Sequence, residues 1–145
     1  MFRSNEARGY AFLEKPYLMS FIACAALRHP PLLYSKERGF FLNDEAKEAT
    51  LVKIRTILAV AALHGHDAVV LSAFGCGAFS NPPKDVALLF KEVIDSDAFA
   101  GRFKRILFAI FDDHNASKQH NPEGNVKPFV DVFKNTVDLS SFSAL

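Results

Sequence analysis

Ala68-Val-Val-Leu-Ser-Ala-Phe-Gly-Cys-Gly-Ala-Phe-Ser-Asn-Pro-Pro-Lys-Asp-Val-Ala-Leu-Leu-Phe90 is the stretch that decides the fold. Its first part, Ala68 to Phe74, is apolar on both faces and reads as a strand of a sheet covered on both sides. Its last part begins a helix from Pro82 to about Asp95, with Val86, Leu89, Phe90, Val93 and Ile94 as the apolar stripe. Asn81 is the natural N-cap of that helix, and Pro82 suits its first turn. The loop between, Gly75 to Pro83, sits at the carboxyl end of a strand, where open parallel sheets hold their ligands. Gly75 and Gly77 let backbone approach a ligand closely, and the loop amides have the positive end of a helix dipole behind them. Such a loop suits a phosphate or diphosphate without any lysine. It lacks the Gly-Lys-Ser/Thr ending of an NTPase loop and the Gly-x-Gly-x-x-Gly dinucleotide turn. A tight turn that needs glycine for steric reasons alone would show the same spacing. The residues by themselves leave both readings open.

Outward from this unit, elements alternate. Leu51, Ile54, Leu58 and Ala61 recur at three- and four-residue steps and predict a helix over Asp44–His64, with Asn43 or Asp44 as cap and Gly65 as its stop. Tyr17 to Ala26 is an apolar run halted by Arg28-His29-Pro30-Pro31 and predicts a buried strand, although its small residues also allow a helix. Leu33 to Asn43 reads as an irregular connection. Arg105 to Phe111 is a second doubly buried strand, and Pro128 to Val137 a last helix with Phe129, Val132 and Phe133 inward. Strand–helix alternation of this kind implies an α/β fold, a parallel sheet with crossover helices.

Composition agrees with one globular domain. The chain has 145 residues, half of them hydrophobic, and a formal net charge of +1. No basic block stands out, so the charge excludes a nonspecific nucleic-acid binder, and an anionic ligand must be held by local geometry. Cys24 and Cys76 are too few for a disulfide scaffold and lack metal-ligand spacing. Leu18 to Leu27 is too short to span a bilayer. Glu6, Glu14 and Lys15, of mixed sign, precede it, unlike the basic start of a secretory signal. The expectation is a soluble protein of the cytoplasm or nucleus with no membrane partner, no cofactor and no metal.

The string Val70 to Phe90 resembles the segment of microbial-type poly(ADP-ribose) glycohydrolases, of the macrodomain superfamily, in which a buried strand runs into Gly-Cys-Gly-Ala-Phe and then Asn-Pro-Pro. Upstream, the helix around Lys53-Ile54-Arg55 is similar. Downstream, Phe108-Ala-Ile-Phe-Asp112, Asn125 and Phe129 are similar to the last strand and closing helix. The resemblance runs over roughly Pro16 to Phe133. It implies a macrodomain-like α/β/α sandwich truncated at its N-terminal side: an arm at 1–15, the partial domain at 16–138 and a tail at 139–145. It further implies ADP-ribose, free or on a modified protein, as partner. The amides of Gly75, Cys76, Gly77, Ala78 and Phe79 would hold the diphosphate, with Asn81 at the helix start and the Phe79 ring on the distal ribose. Phe111, Asp112 and Asn125 would lie toward the adenosine end, and for Phe111 a place in the core is an equal alternative.

The departure from the family pattern is large. Its enzymes carry a run of three glycines and a Gln-Glu-Glu segment that supplies the acid; this chain has no Gly-Gly and no Glu-Glu pair. No residue is therefore assigned a catalytic role. Two readings stand: an ADP-ribose-binding module, or a glycohydrolase whose acid comes from a missing N-terminal half, another chain or a replaced residue. A half-sheet also exposes a strand edge, through which a second copy or a completing chain would pair. Other constellations are weaker. Cys76 near a helix start would need a base such as His114 or His120 to act as a nucleophile. Asp112-Asp113-His114 reads as a solvated loop, and His64-Gly-His66 as a helix end.

Overall fold

The structure, a computed structural model, describes residues 3–134. The expected helix after Asn43 forms as α1, Asp44–Leu63. The Asn43 side chain accepts from the Ala46 amide at 2.9 Å, satisfying one of the free donors of the first turn. Ala46, Thr50, Leu51, Ile54, Leu58 and Ala61 are buried along one side. At the far end Gly65 takes φ +77°, and His66 N–H reaches Ala61 O at 3.0 Å while Gly65 N–H reaches Ala62 O at 3.1 Å. That pair of bonds closes the helix in a Schellman motif.

Beyond α1 lie β1, Ala68–Leu71, α2, Pro83–Ile94, β2, Arg105–Phe108, and α3, Val126–Phe133. β1 and β2 are parallel, in the register Ala68↔Arg105 to Leu71↔Phe108, and α2 is the crossover between them. Val69, Leu71, Ile106 and Phe108 turn toward the helices and join the core. Phe108 stacks against Phe90, Phe129 and Phe133 with ring centroids 5.2, 5.1 and 4.9 Å apart, tying sheet, α2 and α3 together. Fully burying each such ring contributes about 1.5–3 kcal/mol.

The other face corrects an expectation. Both strands were expected to be buried on both sides, yet Val70 is 67% and Leu107 40% exposed. No described element packs over them, so their apolar side chains face water. Tyr17–Ala26 is a second correction: it forms no strand, and Leu18 and Phe21 stand 100% and 81% exposed. A strand needs neighbours for its amides and carbonyls. The described parallel sheet has only two strands, neither beside this segment.

The connection before α1, read as irregular, is a hairpin. Leu32–Ser35 pairs antiparallel with Gly39–Leu42, and Gly39 takes φ +71° at the turn. Its anchor is Asp85, buried in the first turn of α2, which accepts from Leu42 N–H at 2.7 Å and pairs with Arg38 at 3.3 Å. α3 starts two residues earlier than expected because Asp112 Oδ1 accepts from the amides of Asn125 and Val126. The expected end of that helix at Val137 and the tail at 139–145 lie outside the described residues.

Candidate functional site

The loop from Gly75 to Asn81 folds inward on its carbonyls. Gly75 O accepts from Asn81 N–H at 3.0 Å and from the Asn81 amide at 3.0 Å. The same side-chain nitrogen also reaches Leu27 O at 2.7 Å and Phe79 O at 3.3 Å. Asn81 was expected to cap α2; Pro82 occupies the cap position instead, and Asn81, 1% exposed, braces the loop. Its Nδ2 donates among these three carbonyls, which fixes the orientation of the side chain, and its oxygen makes no cap bond to a helix amide.

The two glycines do different work. Gly75 has φ +76°, and a Cβ there would lie 2.5 Å from Asn81 Nδ2 and 2.6 Å from Ala26 Cβ. It serves the turn. Around Gly77 a Cβ would meet nothing nearer than Asn115 at 3.7 Å, an ordinary contact. The fold therefore does not demand glycine at that position. Two other residues near the loop, Ser80 and His29, sit in the left-handed region at φ +61° and +48°. His29 N–H donates to Phe79 O at 2.8 Å, so the loop's surroundings hold this costly geometry in place.

Donors are spent unevenly. Cys76 N–H bonds Ala73 O, and Ser80 N–H bonds Gly77 O, both at 3.0 Å. The amides of Gly75, Gly77, Ala78 and Phe79 have no hydrogen-bond partner among the described residues. Ala78 is exposed, and Gly77 and Phe79 are half-buried. Gly77, Ala78 and Phe79 thus present consecutive free donors ahead of α2, an arrangement suited to an anion.

Cys76 is fully buried, and burial pushes its thiol well above the ordinary range. Its Sγ makes only a weak contact to Phe74 O at 3.8 Å. A nucleophile needs a thiolate, and this environment opposes one. His120, considered as its base, instead meets the Cys76 carbonyl at 2.9 Å through Nε2.

The adenosine-end residues are placed unequally. Phe111 is 75% exposed, outside the core. Asp112 holds the start of α3 and leaves no room for a side chain at Gly124, whose Cβ would come 2.6 Å from its carboxylate. Asn125 is buried and accepts from the Asn121 amide at 2.8 Å. Asp113 folds into a turn, accepting from Asn115 N–H at 2.8 Å; that bond chiefly holds its carboxyl below the usual range. Among the described residues no group of three His, Cys, Asp or Glu lies close enough to hold a metal ion.

Sequence reasoning missed Asn121 and weighed His120 only as a base for Cys76; both meet the Cys76 carbonyl and so connect the 112–125 loop to the glycine loop. That acceptor is a main-chain atom 44 and 45 residues away in sequence, and side-chain pattern carries no signal of it. Clefts of about 230 and 250 Å³ flank the fold, one between the hairpin and residues 119–124, the other beside Leu27–Pro31. Neither is lined by Gly75–Phe79.

A parallel strand pair with a helical crossover and a free-amide glycine loop defines a macrodomain-like α/β unit. Its structural neighbours include microbial poly(ADP-ribose) glycohydrolases, to which it is similar over part of their length. The enzyme of Deinococcus radiodurans, solved in complex with ADP-ribose, is 28% identical with a TM-score of 0.55, over 64% of this chain and 35% of that one. Its apo form is 31% identical with a TM-score of 0.53, over 63% and 34%. The Thermomonospora curvata enzyme is 33% identical with a TM-score of 0.51, over 62% of this chain and 31% of that one. This chain therefore spans about a third of the length of the structures it matches. No protein-family model matches the sequence, and no curated protein does.

Proposed function

We propose that this chain binds ADP-ribose, with the diphosphate on the free amides of the Gly75–Phe79 loop and the Phe79 ring on the distal ribose. The observation that carries the reading is the run of unpartnered amides at Gly77, Ala78 and Phe79, in a chain similar to a structure solved with ADP-ribose. An anion there receives charge-assisted hydrogen bonds and the field of the α2 N-terminus. Cys76, whose own amide is spent in the turn, contributes the peptide unit that presents Gly77 N–H.

Binding is expected to be weak. Ala78 is exposed and Gly77 and Phe79 are only half-buried, so a ligand on these amides keeps much of its surface in water. Affinity in the high micromolar range, roughly 4–6 kcal/mol, follows. Calorimetry tests it: ADP-ribose should bind more tightly than AMP, which offers neither a second phosphate nor a distal ribose. Equal affinity for the two would sink the loop assignment.

The second reading, turnover, takes support from the enzymatic names of the neighbours. It needs an acid, and the carboxylates nearest in sequence are committed elsewhere, Asp67 to Lys104 and Asp85 to the Leu42 amide and Arg38, as are Asp112 at the start of α3 and Asp113 in its own turn. On this reading the proton donor comes from outside the described residues.

A further inference from the structure

The Cys76 carbonyl receives two side-chain contacts from the loop before α3. His120 Nε2 lies 2.9 Å from it and Asn121 Nδ2 3.4 Å. A carbonyl oxygen only accepts, so Nε2 carries the proton and the imidazole is held as a donor. Asn121 is 1% exposed and fully engaged, reaching Asn115 O at 3.0 Å and Asn125 Oδ1 at 2.8 Å while its own oxygen accepts from Lys118 N–H at 2.8 Å. Asn121 is therefore fixed from behind.

Among the described residues no peptide bond is cis. In a trans peptide the C=O and the following N–H point in opposite directions across a rigid plane. Holding Cys76 O toward residues 120–121 therefore turns Gly77 N–H away from them, toward the open side of the loop. The next peptide repeats the device: Gly77 O accepts from Ser80 N–H at 3.0 Å, and Ala78 N–H is turned outward with it. We infer that His120, seconded by Asn121, is a positioning residue for the anion loop: it sets the Cys76–Gly77 peptide plane and so aims the Gly77 amide at the ligand. This inference rests on the ADP-ribose reading above for the ligand, but the clamp itself is a property of the unliganded chain.

Without the clamp the peptide is free to flip, and part of the population presents a carbonyl to the phosphate. Losing one orienting hydrogen bond of this kind is expected to weaken binding roughly tenfold. The test uses the full chain, isotope-labelled, with calorimetric titration by ADP-ribose and the Gly77 amide resonance as readouts. His120→Ala should weaken binding and shift the Gly77 resonance in the free protein. His120→Gln carries an amide donor at nearly the same reach and should restore both, whereas His120→Asn, with a shorter reach, should not. Melting temperatures should stay close across the series, because His120 is only partly buried. Should the alanine variant melt early, the Gln and Asn variants carry the comparison. A Gly77 resonance unmoved in His120→Ala, or a Gln variant that behaves like Asn, overturns the clamp. If the wild-type chain takes up no ADP-ribose, the functional reading fails, and the Gly77 resonance alone decides the clamp.

Discussion

Gly75 and Gly77 stand two apart in the chain and look equivalent in the sequence, yet their surroundings differ in kind. Gly75 is held at positive φ with its Cα against Asn81 and Ala26, so any side chain strains the backbone and collides with the brace of the loop. Gly77 has room in the protein and no positive φ, so on the ADP-ribose reading what a side chain there would meet is the ligand. Opposite outcomes are expected. Gly75→Ala should destabilise the fold by about 1–3 kcal/mol, read by denaturant unfolding. Gly77→Val should leave unfolding nearly unchanged while ADP-ribose titration goes flat. A Gly77→Val chain that melts as readily as Gly75→Ala would assign both glycines to the turn. The sequence could place the pair on a strand–helix loop but not divide the labour, because the division depends on Asn81 and Ala26 arriving from outside it.

Elements whose cause is local were legible. α1 is set by Asn43, by the three- and four-residue apolar steps and by Gly65, all within one segment, and the structure places it where the sequence does. α2 likewise follows from its apolar stripe and leading prolines. The hairpin was missed although a charged three-residue turn before Gly39 separates apolar runs; its stability comes from Asp85, beyond the reach of any local pattern. The extended segment Tyr17–Ala26 failed in the other direction. Its composition is that of a buried strand, but composition cannot supply a neighbouring strand. Asp85 is the element-scale test. It is 6% exposed, joins α2 to the hairpin through Leu42 and Arg38, and has no substitute. Asp85→Ala leaves a buried amide and a cation without their acceptor and should cost about 3–5 kcal/mol. Arg38→Ala, removing a partner that is half exposed, should cost well under half of that. Chemical denaturation of both variants checks the order, and equal losses would show that the ion pair rather than the Leu42 bond anchors the hairpin.

At the scale of the molecule, among the described residues, one face of the sheet is built and the other is bare. The helices bury Val69, Leu71, Ile106 and Phe108, while Val70, Leu107 and Phe111 face water. The glycine loop ends the same sheet, with Ala78 exposed and Gly77 and Phe79 half-buried. On the ADP-ribose reading such a site grips a diphosphate through its amides, but amides deliver no proton to a leaving oxygen. General acid–base help is typically worth about 100- to 10,000-fold, and an acid must be protonated when it acts. Asp113 is unsuited: its bond from Asn115 N–H holds the carboxyl below the usual range, so it is a carboxylate near neutrality. Asp112 is engaged by the amides of Asn125 and Val126. The expected outcome is binding without turnover: incubated with poly(ADP-ribose) or a mono-modified protein, the purified chain should release no ADP-ribose above the uncatalysed background. Turnover that vanishes in Phe79→Ala would overturn this and place an acid within reach of the loop. Asp112→Asn would then be the first variant to assay, because an amide oxygen can still accept from the start of α3 while the carboxyl proton is gone.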